Sequence, residues 1–140
     1  MQPTAAVALE PAAAREFADL IRVLVVDDEP LFVEMVEVLL GTEPGIEIVG
    51  MAADGKEGVR LAAELEPDVI VMDISMPVMN GIDATREIRA HDPEARILIL
   101  TGGASVDEID EARAAGAAAY VTKDRIASDF VIELRQLADC

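Results

Sequence analysis

Apolar runs alternate with helical patterns five times along the chain from Arg22 onward. This alternation is typical of strand–helix units built around a parallel sheet. Three of the apolar runs, at 23–26, 69–72 and 97–100, contain no polar residue. Such runs suit strands that helices cover on both faces, so these three segments are predicted to be inner strands.

The other two strand candidates have the patterns of sheet edges. Residues 46–48 alternate apolar and polar side chains, and residues 117–121 form a short segment that is mostly alanine. Placing these two segments at the edges gives the strand order 2-1-3-4-5. The prediction is an α/β protein, a single flavodoxin-like (βα)5 domain over residues 22–140, with a parallel sheet and helices on both faces.

Two helices show the 3.6-residue period clearly. The stripe predicted to face the core in the first helix, opposite the solvent-facing Glu34 and Glu37, consists of Leu31, Met35, Val38 and Leu39. The stripe in the second helix consists of Gly58, Leu61, Ala62 and Leu65, with the glycine allowing close approach to the sheet. Pro30 suits the first turn of a helix, and Gly41 and Gly116 stand where left-handed cap residues are expected.

Residues 1–21 are predicted to be an Ala-rich, partly disordered N-terminal extension with one or two helical turns from Pro11. The segment lacks a basic start, and Glu10 and Pro11 interrupt its apolar run, so it does not resemble a signal peptide. No window of the chain approaches the apolar length of a membrane helix. We therefore expect a soluble protein.

Charge and cysteine content narrow the classes of function. The formal net charge of −17 disfavours direct binding of nucleic acids or anionic membranes. The single cysteine, Cys140, is the last residue and cannot form an intramolecular disulfide. A reducing compartment, the cytoplasm, is expected.

Candidate chemistry collects at the carboxyl ends of the predicted strands, where open parallel sheets bind ligands. In chain order these ends carry Asp27-Asp28-Glu29, Asp73, Thr101 and Lys123. Taken singly, each residue has an ordinary explanation as a helix cap, a loop residue, a strand end or a surface cation. The carboxylates of Asp27, Asp28 and Asp73, together with a hydroxyl and an ammonium at one edge of one sheet, favour a binding site instead.

The charges at this edge predict a divalent cation. Two carboxylates about 4 Å apart repel by about 4 kcal/mol at an effective dielectric near 20. One Mg²⁺ and Lys123 would cancel the formal charge of Asp27, Asp28 and Asp73, and Mg²⁺ prefers oxygen ligands with retained waters. A transition metal is disfavoured, because the chain has no cysteine cluster and its only histidine, His91, lies at a predicted helix end.

Four motifs stand in order along the chain: VLVVDDEP at 23–30, VIVMDISMPVMNG at 69–81, ILILTGG at 97–103 and AAYVTKD at 118–124. Together they resemble the motifs of bacterial response-regulator receiver domains. The resemblance covers roughly residues 22–138, and the combination is far more specific than any single motif.

The resemblance implies that Asp73 is a phosphoacceptor. Asp28 and the backbone carbonyl of Ser75 would help to ligate Mg²⁺, and Asp27 would assist through water. Lys123 would contact a phosphoryl oxygen. The chain would then catalyse only its own phosphorylation and slow dephosphorylation, and would not be a turnover enzyme.

The same resemblance implies a switch. Thr101 would bond the attached phosphoryl group, and Tyr120 would be the aromatic residue that turns toward the core, changing the surface of helix 4, strand 5 and helix 5. The donor would be a phosphohistidine on a sensor histidine kinase or a phosphotransfer protein. The output would be a protein partner or a phosphorelay, and a homodimer formed on phosphorylation is left open.

Two positions depart from the family pattern. Asp124 follows Lys123, where the family often has proline and a cis peptide; a non-proline cis bond costs about 3 kcal/mol, so the geometry of this loop is left open. Gly102-Gly103 follow Thr101 and place no side chain two residues beyond it. With Ser75, they leave the acyl phosphate open to approach and its lifetime undetermined.

Other functions remain as alternatives. An aspartyl-phosphate hydrolase would normally need an acid where Ser75 stands, and a flavodoxin-like cofactor carrier would bring phosphate against the acidic run at 27–29. The segments EPGIEIVGMAADGKEG and MDISMPVMNGIDATREIR resemble receivers that precede helix-turn-helix output domains. The alternative function is therefore a receiver fragment of a longer DNA-binding response regulator.

Overall fold

The computed structural model describes residues 20–139. The strands are β1 (Ile21–Val26), β2 (Ile46–Ala52), β3 (Val69–Met72), β4 (Ile97–Thr101) and β5 (Ala119–Thr122). The helices are α1 (Pro30–Gly41), α2 (Gly55–Leu65), α3 (Gly81–His91), α4 (Val106–Ala115) and α5 (Val131–Ala138). A 3₁₀ turn at Lys123–Arg125 and a π-helical turn at Ile126–Phe130 join β5 to α5. Residues 1–19 of the extension predicted at 1–21 lie outside the described residues. Its last residue, Ile21, is the first residue of β1.

The five strands are parallel and lie in the order β2-β1-β3-β4-β5. This is the predicted order 2-1-3-4-5, and the two weakly patterned segments lie at the edges as expected. The three inner strands are buried along their apolar runs, because helices cover both of their faces. The flavodoxin-like α/β prediction is confirmed.

Successive residues of β1 pack into two separate apolar layers. Val23 and Val25 face one cluster, which includes side chains of α1 and α5. Leu24 and Val26 face the other, which includes side chains of α2, α3 and α4. Because successive side chains point to opposite faces, both faces of β1 are buried. Asp27 and Asp28 directly follow this strand.

The predicted core face of α1 is wrong by about one residue of rotation. Leu31, Met35 and Val38 are exposed, at 81%, 46% and 67% of their surface, and Leu39 is only partly buried. The buried stripe consists instead of Phe32, Val36 and Leu40. Both stripes have helical spacing, so periodicity could not separate them. The stripe that carries the aromatic ring is the one in the core, and Glu34 and Glu37 are exposed as predicted.

The cap predictions had mixed outcomes. Pro30 occupies the first turn of α1, and Gly116 caps α4 with a φ of +115°. Gly41 is not a left-handed cap, because the helix runs through it to the right-handed Thr42, and the positive φ falls at Gly45 instead. No helix in the described range is long and apolar enough to cross a membrane.

Gly58 lets α2 approach β1 as predicted. A Cβ at this position would lie 2.9 Å from Cγ1 of Val26, the residue before Asp27. Gly58→Ala should therefore lower the free energy of unfolding by about 1–2 kcal/mol, because the overpacking outweighs the gain in helix propensity. Urea denaturation measures this change.

Gly41→Ala is the matched control, since a Cβ there meets no atom within 4 Å. That variant should be neutral or up to about 1 kcal/mol more stable. Equal stability of the two variants would contradict the close approach of α2 to β1.

Candidate functional site

Three carboxylates converge where β1 and β3 end. Asp27 and Asp28 follow β1 directly, and Asp73 follows β3. The backbone N–H of Asp73 donates a 2.9 Å hydrogen bond to the carbonyl of Val26, which holds the two strand ends side by side. One oxygen of each carboxylate lies within 4.8 Å of the other two. Asp27 and Asp73 are buried, with only 5% and 6% of their surface exposed, whereas Asp28 faces solvent.

These acids border a cleft of about 330 Å³ at the carboxyl edge of the sheet. Five of the predicted site residues line it, namely Asp28, Asp73, Ser75, Thr101 and Lys123. The sixth, Asp27, is buried and contacts the ammonium of Lys123. Glu29, which the sequence showed only as the last residue of the acidic run, and Glu108, which the sequence did not single out as a site residue, also line the cleft.

Lys123 makes its shortest contact with Glu29. Its Nζ lies 2.6 Å from Oε1 of Glu29 and 3.2 Å from Oδ2 of Asp27. The nearest oxygen of Asp73, Oδ2, is farther away at 3.9 Å. The ammonium also lies 4.1 Å from the centroid of the Phe32 ring, a cation–π distance. Glu29 was visible in the sequence as part of the acidic run, but the contact with Phe32 depends on the rotation of α1, which the pattern did not determine.

Burial and like charge raise the pKa of Asp73 to about 6. Removal of the carboxylate from water is the largest cause, and the charge of Asp27 adds to it. Lys123 and the backbone N–H of Ile74 act in the opposite direction. For Lys123, burial alone would lower the pKa, but the hydrogen bond to Glu29 and the charges of Asp73 and Asp27 outweigh burial, so its pKa is raised. At neutral pH the site therefore contains the carboxylate of Asp73 and the ammonium of Lys123.

The donor set fits Mg²⁺. Three carboxylates with oxygens within 4.8 Å of one another are hard ligands, and the open cleft beside Asp28 has room for the waters that Mg²⁺ retains. Asp27 is less available for direct metal binding than the other two acids. Its Oδ1 accepts a 2.9 Å hydrogen bond from the backbone N–H of Glu29, and its Oδ2 faces Lys123. These contacts suit an indirect role through water, as the sequence resemblance implied.

Asp28 does not cap α1. The N-cap residue of that helix is Glu29, and its side chain makes no capping hydrogen bond. The carboxylate of Asp28 is therefore not occupied by the structural role that the sequence offered as its simplest explanation.

Thr101 is buried at the end of β4, on the wall of the cleft. Its Oγ1 accepts a long 3.4 Å hydrogen bond from the backbone N–H of Gly103. Tyr120 lies outside the cleft on β5, with 46% of its surface exposed, and borders a small groove against α4. The structure thus brings together every predicted site residue except the aromatic one.

The loop after Asp73 is held by short backbone contacts. A Cβ on Gly81 would overlap the carbonyl oxygen of Asp73, and its N–H donates a 2.8 Å hydrogen bond to Ile74. Val78 has a φ of +69° in a γ-turn closed by the N–H of Met79. A β-branched residue in that conformation stores on the order of 1–3 kcal/mol of strain. The turn lets the carbonyl of Met79 accept a 3.0 Å hydrogen bond from the N–H of Gly55, at the start of α2.

The peptide bond after Lys123 is trans, like all those in the described residues. The chain enters a 3₁₀ turn at this residue, and that turn continues directly into the π-helical turn before α5. The geometry that the departure at Asp124 left open is therefore a helical turn.

A family model described as "Response regulator receiver domain" matches residues 23–135. The chain is 41% identical over 102 residues to the chemotaxis protein CheY of Thermotoga maritima, covering 73% of this chain and 84% of that protein. It is 40% identical over 116 residues to the transcriptional regulatory protein LiaR of Bacillus subtilis. That match covers 83% of this chain but only 55% of LiaR, so the chain spans about half of this relative.

Solved structures agree with these relatives. The crystal structure of the response regulator domain of Thermotoga maritima CheB superposes with a TM-score of 0.81 at 33% identity. The alignment covers 86% of this chain and 98% of that domain. The strand order, the acidic cleft and the family match therefore agree over the same residues.

The raised pKa of Asp73 predicts a pH-dependent stability of the metal-free protein. A carboxyl with a folded-state pKa of about 6 and a lower unfolded-state pKa stabilises the fold fully below about pH 4, and this contribution is lost as the pH rises through 6. Without metal, Asp73→Asn should be more stable than the native chain by about 1–2 kcal/mol above pH 7, after discounting for solvent screening. At pH 4 the difference should vanish.

Urea unfolding in a chelator, at several pH values, measures this difference. Asp110→Asn, which alters an exposed carboxylate of α4, is the control and should leave the pH profile unchanged. Parallel pH profiles for Asp73→Asn and the native chain would contradict the raised pKa of Asp73.

Proposed function

The chain belongs to the response regulator receiver domain family, and on that basis we propose that it is a phosphorylation-activated switch of two-component signalling. The acceptor is Asp73, and the donor is a phosphohistidine on a sensor histidine kinase or a phosphotransfer protein. One observation carries the proposal. Asp27, Asp28 and Asp73 converge at the carboxyl edge of the sheet with Lys123 beside them.

Transfer begins with a carboxylate oxygen of Asp73 attacking the phosphorus of the donor. A bond forms between this oxygen and phosphorus, the bond from phosphorus to the donor imidazole nitrogen breaks, and the imidazole leaves with the electron pair. With a pKa of about 6, most of Asp73 is ionised above pH 7 and ready to attack. The nucleophile is therefore available without a separate general base.

Charge neutralisation and positioning supply the remaining catalysis. Mg²⁺, held by Asp28, Asp73 and the backbone carbonyl of Ser75 with Asp27 acting through water, would neutralise the phosphoryl oxygens during transfer. Lys123 would stabilise another phosphoryl oxygen. The chain turns over only its own phosphoryl group, so it acts as a switch and not as a multiple-turnover enzyme.

The switch starts at Thr101. Its hydroxyl donates to the attached phosphoryl group and draws the loop after β4 inward, and Tyr120 turns from its exposed position toward the groove beside α4. This arrangement is one of two that the protein populates, and phosphorylation shifts the balance between them. The surface formed by α4, β5 and α5 changes and is read by a protein partner, by a phosphorelay or by a second copy of the chain.

A protein donor must contact the rim of the cleft to reach Asp73. The exposed stripe of α1 adjoins this rim, since Leu31 follows the lining residue Glu29 by two positions. An exposed row of large apolar side chains is a surface that protein partners bury. We assign the stripe of Leu31, Met35 and Val38 to donor docking.

The match to LiaR favours a second function, in which this receiver is one part of a longer transcriptional regulator. Phosphorylation would then act on a DNA-binding segment, while the acidic receiver itself does not bind DNA or a membrane. In both cases the protein would work in the cytoplasm.

Asp73→Asn should abolish phosphoryl labelling by acetyl phosphate in Mg²⁺, because the amide is not a nucleophile. Intact-mass spectrometry measures the gain of one phosphoryl group. Asp110→Asn should be labelled like the native chain. Undiminished labelling of Asp73→Asn would assign the acceptor elsewhere, and continuous release of phosphate from small esters would favour a hydrolase.

Thr101→Ala should still accept the phosphoryl group, but phosphorylation should then change the structure of α4 and β5 only weakly. Amide spectra with Mg²⁺ and beryllofluoride, a phosphoryl mimic, should show the native changes near Asp73 and much smaller changes in α4 and β5. Full changes at Tyr120 in this variant would show that the switch runs by another route.

A further inference from the structure

Lys123 is held by the segment that joins β1 to α1, and not by the acceptor. Two carboxylates of this segment contact its ammonium, Oε1 of Glu29 at 2.6 Å and Oδ2 of Asp27 at 3.2 Å, and the ring of Phe32 in the first turn of α1 lies 4.1 Å from it. Oδ2 of Asp73 is 3.9 Å away, beyond hydrogen-bonding distance. The strongest hydrogen bond of this lysine therefore goes to a residue to which neither the sequence motifs nor the proposed function gives a role.

We propose that Glu29 is a positioning residue that holds Lys123 away from the acceptor in the resting protein. Phosphoryl transfer then requires the ammonium to exchange the carboxylate of Glu29 for a phosphoryl oxygen on Asp73. This inference rests on the proposed function and adds a determinant of how readily the resting chain is phosphorylated.

Glu29 and a phosphoryl oxygen on Asp73 would compete for the same ammonium. An ammonium has three N–H groups, and Lys123 directs them to a restricted set of partners within a cleft where only 14% of its side chain is exposed. The ammonium lies 2.6 Å from Oε1 of Glu29 but 3.9 Å from Oδ2 of Asp73, so its short hydrogen bond in the resting protein goes to Glu29 and not to the acceptor.

The exposure of Glu29 makes the exchange easy to reverse. Its side chain is 64% exposed, so water solvates the carboxylate as soon as the lysine leaves. Exposed ion pairs of this kind contribute little to stability. The contact with Glu29 therefore biases the position of the lysine only weakly. Removing it should increase the rate of phosphorylation by about two- to five-fold.

Glu29 can be altered without disturbing α1. It occupies the N-cap position, but its side chain makes no capping hydrogen bond. Glu29→Gln removes the charge and keeps the shape, and Glu29→Ala removes every contact with the lysine. Both variants should fold with native stability, and the alanine variant should show the larger effect on the lysine.

The chain contains only two lysines, Lys56 and Lys123, which makes a direct measurement feasible. In protein labelled with ¹³C and ¹⁵N lysine, the side-chain signals of Lys123 in the metal-free resting state should shift in both Glu29 variants. Lys56, in the first turn of α2, should not shift and serves as the internal reference. With Mg²⁺ and beryllofluoride, the Lys123 signals of the native chain and of the variants should coincide.

Glu108→Gln is the matched control for charge. Glu108 lines the same cleft, but its carboxylate accepts a 3.0 Å hydrogen bond from the N–H of Ser105 and not from Lys123. Glutamine keeps this capping contact while removing one charge. Labelling by acetyl phosphate in Mg²⁺ should be about two- to five-fold faster for Glu29→Gln than for Glu108→Gln.

Equal acceleration in both variants would assign the effect to the general charge of the cleft and would overturn the positioning role of Glu29. Unshifted Lys123 signals in the metal-free Glu29 variants would overturn it as well. Absence of labelling in the native chain would instead count against the proposed function, while the metal-free lysine spectra would still test the contact between Glu29 and Lys123.

Discussion

Electrostatic repulsion among Asp27, Asp28 and Asp73 is the constraint around which the carboxyl edge of the sheet is organised. Parallel neighbours β1 and β3 end side by side, and the hydrogen bond from the N–H of Asp73 to Val26 keeps the backbone positions of the acids close together. Burial of two of the three makes their charges more costly. The raised pKa of Asp73 follows first from burial and then from the nearby charge of Asp27, and the fit to a divalent cation follows from the proximity of the three acids.

The surrounding scaffold accepts local strain to keep the acids in place. Gly58 and Gly81 occur where a Cβ would meet β1 or the backbone of Asp73, and Val78 adopts a left-handed conformation that most β-branched residues avoid. Of these features, Gly81 lies directly against the backbone of Asp73. Sites that position like charges commonly have such costs, which well-packed strands and helices elsewhere in the fold offset.

Strand order and the acidic site could be predicted because both depend on short, local signals. Unbroken apolar runs identify the sandwiched strands, and polar residues directly after parallel strands must meet at one edge. The face of α1 was mispredicted because apolar residues surround most of that helix, so its period fits two rotations equally well. Contacts of Lys123 with Glu29 and Phe32 depend on that rotation and on one side-chain conformation, which no spacing rule encodes. The position of Gly41 misled for a similar reason, since a glycine permits a left-handed cap without requiring one.

The two sides of α1 carry separate duties. Phe32 packs into the core and also lies beneath the ammonium of Lys123, so the inner side of the helix is tied to the chemistry of the cleft. Leu31, Met35 and Val38 touch neither and point outward. Under the docking role proposed for the outer side, substitutions there would change which donors bind while the reactive centre keeps its geometry. In that proposal a single helix separates the evolution of specificity from the evolution of reactivity.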